Sequence, residues 1–173
     1  VAWDNNFDES LFKFALFRTT WNYFDKLDDF YVFLKRASSV LGFINPMGQI
    51  MWNLNKKYLL ELRDSGVNIP ESHIVRSKES ASLSSVASLY GWGDIVIKPC
   101  VSAAAWNTHR IKRCDFKKSE ALFAKLLINN DMLVQCFQKN ILLFGEISIM
   151  IIGGEYSHAV LKRAKPGDYR VQD

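Results

Sequence analysis

Residues 95–108 read Ile95-Val96-Ile97-Lys98-Pro99-Cys100-Val101-Ser102-Ala103-Ala104-Ala105-Trp106-Asn107-Thr108, and the rest of the architecture is read outward from them. Residues 94–98 predict a buried strand that ends at Pro99, which cannot donate to a continuing ladder. A lysine on the last position of such a strand must lead its ammonium out of the core or meet an anion, because an unpaired buried charge is very costly. Lys98 therefore emerges at a strand end, where it meets either solvent or an anion in a cleft. Phosphate is the natural anion. The small side chains from Ser102 to Ala105 let backbone amides approach such a group, although alanine is less permissive than glycine. Taken alone, the loop reads equally as a surface turn. A lysine-ended strand, a small-residue loop and a returning strand at 108–113 are more specific together than any one part.

Downstream, residues 116–129 predict a helix with Ala121, Leu122, Leu126 and Leu127 inward, and residues 132–137 a buried strand. Residues 145–152 and 156–163 predict a hairpin joined at Gly153-Gly154. Upstream, residues 77–90 predict a helix with Leu83, Val86, Ala87 and Tyr90 inward, closed by Gly91 and Gly93. Residues 73–75 and 67–69 read as short strands. A helix running to Arg63 is capped by Asn53 or Asn55, with Tyr58, Leu59 and Leu62 as its apolar positions. Asp28-Asp29 opens another helix, with Phe30, Phe33, Leu34 and Ala37 on one face. Gly42 is expected to end that helix region, and residues 43–46 to run from a short strand into a turn. Residues 11–18 fit either a strand or a short helix. The order is a partial α/β unit up to about residue 48, then mixed helices and antiparallel strands. It predicts an α+β, two-lobed architecture with the ligand site in the cleft between lobes.

Composition excludes several classes. The chain has 173 residues, 49% apolar and 23% charged, as in an ordinary globular protein. No apolar run approaches the roughly 18 residues that span a bilayer, and the acidic start lacks a signal-peptide pattern. The net charge of +4 is mild. The cluster Lys112, Arg113, Lys117, Lys118 is interrupted by Asp115 and Glu120, so it reads as a solvated surface rather than a nucleic-acid patch. Cys100, Cys114 and Cys136 match no zinc spacing and read as reduced thiols, which points to the cytoplasm. Cys100 has no histidine within a few residues, so a packed thiol is favoured over a nucleophile.

Four segments carry a resemblance. Residues 95–111 (IVIKPCVSAAAWNTHRI) are similar to the lysine strand and phosphate loop of ATP-grasp proteins, in the branch that holds D-cycloserine ligase and relatives of bacterial glutathione synthetase. Residues 52–62 (WNLNKKYLLEL) resemble that branch's earlier lysine motif. Residues 157–172 (SHAVLKRAKPGDYRVQ) resemble its late strand and basic segment, and residues 18–23 (RTTWNY) the end of its N-terminal domain. The resemblance implies a two-lobed ATP-grasp fold, with mixed and antiparallel sheets, preceded by part of a Rossmann-like domain and cut at both ends. It divides the chain into a partial N-terminal domain at 1–50, a first lobe with linker helix at 51–131 and a partial second lobe at 132–173.

The same resemblance implies the roles. Lys56, with Lys57 as competitor, contacts the ATP phosphates. Lys98 contacts the α-phosphate or adenine N7, and Ser102 with its neighbours closes over the β- and γ-phosphates. Gln135, Cys136 and Phe137 form the hinge whose backbone groups bind the adenine edge, and Glu146 accepts the ribose hydroxyls. Of Lys162 and Arg163, which alternate on a strand, only one faces the cleft; Lys162 is assigned to the nucleotide and Arg163 to the reaction centre. Arg170 binds phosphate or the acyl substrate through its planar fork. The implied activity is an ATP-dependent ligase joining a small-molecule carboxylate to an amine through an acylphosphate. A nucleotide-binding module without catalysis is the alternative. Magnesium accompanies ATP in the family, but its acidic ligands follow the last basic segment, so no metal ligand is named here. No nucleic acid or membrane partner is expected, and pairing into a homodimer stays open.

Overall fold

The computed structural model describes residues 1–18, 20–165 and 168. Among the described residues three sheets form: a parallel pair, a four-stranded antiparallel sheet and a hairpin. This is the α+β arrangement that the sequence pattern predicts.

The N-terminal unit is a short strand–helix–strand crossover. β1 (Phe14–Leu16) runs parallel to β2 (Gly42–Ile44), and α1 (Leu27–Ala37) connects them. Asp28 and Asp29 open α1 while Lys35 and Arg36 close it, both complementing the helix dipole. Its apolar face buries Phe30, Phe33, Leu34 and Ala37, the four residues expected there. Trp3 packs edge-on to Phe30 with ring centroids 4.9 Å apart, and Phe17 meets Phe43 at 5.3 Å. Residues 11–18 resolve into a strand preceded by a single 3-10 turn, Glu9–Leu11. Gly42 does not terminate α1, which ends at Ala37. It opens β2 instead, and a Cβ there would stand 2.8 Å from the Phe14 ring.

The chain then makes α2 (Met47–Asn53), which the sequence pattern did not mark, and α3 (Tyr58–Asp64), the helix expected up to Arg63. Asn55 Oδ1 accepts from the Lys57 N–H at 3.0 Å in the turn between them. Residues 67–69, expected as a short strand, join no sheet.

The central sheet has the order β3 (Ser72–Val75), β6 (Met132–Cys136), β4 (Ile95–Pro99), β5 (His109–Ile111), all antiparallel. One face packs on α4 (Leu83–Tyr90) and α5 (Phe116–Leu127). Ile95 and Ile97 turn into that core, so Val96 and Lys98 turn to the opposite face. α4 begins later than the pattern predicts. Ser82 accepts from Ser85 N in a capping box, and Gly91 closes the helix at φ 68°. Glu120 of α5 accepts from the Leu83 and Ser84 N–H groups, which ties the two helices together. Two helices face the core differently from what their patterns predict. Phe123 is the fully buried residue of α5, whereas Ala121 and Leu122 are exposed. Tyr90 lies outside the core, half-exposed, stacked on Trp92 at 4.6 Å and bonded to His73.

After α6 (Asn140–Phe144), β7 (Glu146–Ile152) and β8 (Glu155–Lys162) form the hairpin. Gly153 and Gly154 both take positive φ, 62° and 86°, as a tight two-residue hairpin turn requires. Gly145 precedes the hairpin at φ 84°, and a Cβ there would collide with the Lys162 carbonyl oxygen. No helix among the described residues is long and apolar enough to cross a membrane.

The weight carried by α5 predicts that Phe123→Ala lowers unfolding free energy by about 3–5 kcal/mol, as cavity formation at a fully buried phenylalanine does. Urea unfolding measures it.

Candidate functional site

A cavity of about 460 Å³ opens where the outer face of the central sheet, the 102–108 loop and the start of β7 come together. Lys56, Lys98, Ser102, Gln135, Cys136, Phe137 and Glu146 all line it. Seven positions named from the sequence thus share one space, although up to 90 positions separate them along the chain. A larger cavity, about 650 Å³, lies beside β1, but aromatic and aliphatic side chains dominate its wall and it gathers no like-charged buried pair. Chemistry therefore favours the smaller one.

Two anchors put Lys56 in this cavity. Its backbone N–H donates to the Cys100 carbonyl at 2.8 Å, which ties the turn between α2 and α3 to the end of β4. Its ammonium donates to the Ser102 carbonyl at 2.7 Å and to Ser102 Oγ at 2.9 Å. The Ser102 hydroxyl in turn donates to the Pro99 carbonyl at 3.1 Å. Burial lowers the Lys56 pKa to about 8, and repulsion from Lys98 adds to the drop. Burial also lowers the Lys98 pKa, opposed by the Glu146 carboxylate. Two ammonium groups and one carboxylate are thus close enough to sense one another. Lys57 is occupied elsewhere, in an ion pair with Asp131. Of the two adjacent lysines, the structure brings only Lys56 to the cavity.

The loop departs from glycine-rich design. Ala104, Ala105 and Asn107 take positive φ of 48°, 56° and 49°. A left-handed conformation costs an L-residue such as alanine about 1–2 kcal/mol. The Trp106 ring lies 5.1 Å from Phe24, so the loop tip rests on the N-terminal unit.

At the opposite end, the Cys136 N–H donates to the Glu71 carbonyl at 3.0 Å and the Phe137 N–H to the Asp94 carbonyl at 2.9 Å. Both amides are spent within the protein. The Arg110 guanidinium covers the Phe137 ring at 3.9 Å and pairs with Asp94 at 2.8 Å, which fixes that wall. Cys100 is buried, and burial raises its thiol to about 11, which leaves no reactive thiolate. All three cysteines are free.

The late basic residues stand differently. Lys162 is the cross-strand partner of Glu146 but does not line the cavity. Arg163 follows β8 as an exposed residue and does not line it either. Arg170 lies outside the described residues. The sequence reading missed Pro70, Val96, Thr108, Gln138 and Ile141 as lining residues. Val96 was within reach, because it sits two residues before Lys98 on the same strand face. The others come from loops and α6, which carry no periodic signal.

These features define an ATP-grasp fold. Over 90% of its length the chain superposes on D-alanyl-alanine synthetase A from Vibrio cholerae with a TM-score of 0.62 at 14% identity, covering 46% of that chain. Over 64% of its length it superposes on a D-alanine–D-alanine ligase from Bacillus anthracis with a TM-score of 0.52 at 15% identity, covering 34% of that chain. Within the fold, the branch it resembles is that of D-cycloserine synthetase. A crystal structure of that enzyme, DcsG, matches with a TM-score of 0.85 and 27% identity, over 94% of this chain and 56% of that one. Residues 1–45 match the family of the N-terminal domain of D-cycloserine synthetase DcsG. The cycloserine biosynthesis protein DcsG of Streptomyces lavendulae is 28% identical over 166 residues, 93% of this chain and 55% of the relative. The chain thus spans about half the length of the curated relative it matches.

Burial of Lys56 gives a pH signature. Between its folded value of about 8 and the usual 10.5, the unfolded chain holds a proton that the folded chain lacks. Stability therefore rises with pH across that window, and the burial penalty is fully present below it. Lys56→Met removes this contribution. Urea midpoints below and above the window are expected to rise less with pH in the variant than in the parent protein.

Proposed function

We propose that the cavity holds ATP and that the protein is the nucleotide-binding part of a ligase that joins a carboxylate to an amine. The carrying observation is the pair Lys56 and Lys98, both with lowered pKa values, at one cavity. Bringing two buried cations together is unfavourable in the empty protein. A polyphosphate reverses the sign of the interaction, because each ammonium then meets an anion in a medium that screens poorly.

In this reading Lys56 and Lys98 neutralise phosphate oxygens. Ser102 and its neighbours close over the outer phosphates, and Glu146 accepts from the ribose hydroxyls. Gln135, Cys136 and Phe137 bound the base. Lys162 steadies Glu146 across the hairpin, while Arg163 and Arg170 serve the acyl substrate once it is bound. The division of the chain is at 50 and 131, with β6 as the strand whose far end makes the hinge. The chemistry that fits is attack of a substrate carboxylate on the γ-phosphorus, forming an acylphosphate and releasing ADP. An amine then attacks the acyl carbon and phosphate leaves. The protein's part is positioning and charge neutralisation. Magnesium is the usual companion of ATP in such enzymes. Among the described residues no group of three or more His, Cys, Asp or Glu side chains is placed to hold a metal ion, so no step is assigned to it. The free, exposed thiol of Cys114 suits a reducing compartment such as the cytoplasm.

Lys98→Ala is expected to weaken ATP binding about tenfold or more with the fold retained, read by calorimetry and circular dichroism. Unchanged affinity contradicts the assignment. ATP affinity is also expected to fall as pH rises past about 8, where free Lys56 loses its proton. Binding above that pH takes up a proton, which calorimetry in buffers of different ionisation heat detects. Affinity independent of pH there counts against a role for Lys56.

A further inference from the structure

Ser72 and Gln135 are direct cross-strand partners on β3 and β6, and both are almost fully buried. Gln135 Nε2 lies 2.7 Å from Ser72 Oγ, and Ser72 Oγ lies 2.6 Å from the Pro70 carbonyl oxygen. Donor counting settles the direction of both bonds. The Pro70 carbonyl only accepts, so the single serine proton goes to it. Ser72 Oγ then has only lone pairs to offer, and the amide must face it with an N–H. A flipped amide would set carbonyl oxygen against hydroxyl oxygen at 2.7 Å with no proton between them. The carbonyl oxygen Oε1 is therefore the end of Gln135 left for the cavity, which Gln135 and Pro70 line and Ser72 does not.

We propose that Ser72 is a positioning residue that locks the Gln135 amide with its oxygen toward the cavity and so selects adenine over guanine. The proposal rests on the nucleotide reading above. Adenine carries an amine at its 6-position and guanine a carbonyl oxygen, so a fixed acceptor attracts the first and repels the second. The Cys136 and Phe137 N–H groups already donate to Glu71 and Asp94, so neither is left to hold the guanine oxygen. Removing the serine hydroxyl frees the amide to rotate by half a turn and present its NH₂ group to guanine.

The test compares ATP and GTP binding by calorimetry in the parent protein, Ser72→Ala, Ser72→Thr and Gln135→Leu. Within each variant the ratio of the two Kd values is the readout. The shared triphosphate and ribose cancel in it, and so does any unfolded fraction. The parent is expected to favour ATP. Ser72→Ala and Gln135→Leu are each expected to cut that preference about tenfold, and Ser72→Thr, which keeps the hydroxyl, to restore it. A parent that binds ATP and GTP equally, or an unchanged ratio in Gln135→Leu or in folded Ser72→Ala, overturns the proposal while leaving the nucleotide site standing. A parent that binds neither nucleotide overturns both.

Discussion

The hydrogen bond from the Lys56 backbone N–H to the Cys100 carbonyl, 2.8 Å long, joins two parts of the chain that carry the charges of the site. On one side is the turn between α2 and α3. On the other is the end of β4, which Pro99 stops just after Lys98. With that bond in place the two ammonium groups face one cavity, and Ser102 takes the hydrogen bonds of Lys56. Burying both ammonium groups is unfavourable by itself and lowers both pKa values, and Lys98 also repels Lys56. On the proposed reading, a site built this way stores its affinity in advance, because little reorganisation is needed when an anion arrives.

Around this pair the three structural units each lend one component. The central sheet supplies a rigid floor, with its opposite face buried on α4 and α5. The hairpin supplies Glu146, and Gly145 lets its backbone close against the Lys162 carbonyl. The N-terminal unit touches the loop through Phe24 and Trp106. That contact holds a segment whose alanines sit in a left-handed conformation, so the loop has both strain and a resting place. Movement of the loop relative to the N-terminal unit would change the surroundings of Trp106.

Much of this was legible because strand and helix periods mark which side chains face the core. The alternation of Ile95, Ile97 and Lys98, the apolar stripe of α1 and the Gly153-Gly154 turn all lie where the pattern places them. The failures share a cause, since local pattern does not specify tertiary neighbours. Gly42 follows a helix and reads as its stop, yet its bareness serves the Phe14 ring. Ala121 and Leu122 satisfy a helical stripe, but the turn of α5 set by its contact with α4 buries Phe123. Lys56 and Lys57 are equivalent in sequence, and contacts far along the chain separate them: Cys100 and Ser102 hold Lys56, and Asp131 holds Lys57. Gln135 read as a hinge residue through its backbone. Its side-chain orientation depends on Ser72, which sits on another strand and carries no local signal.

The ATP-grasp fold and the likeness to D-cycloserine synthetase place the cavity in a familiar architecture, while the charges within it make the chemical case. The most direct test is a crystal structure with a non-hydrolysable ATP analogue. The account predicts phosphate oxygens within hydrogen-bond distance of both Lys56 Nζ and Lys98 Nζ, with the base against Gln135 and Phe137. An analogue bound elsewhere, or with its phosphates remote from either ammonium, would contradict it.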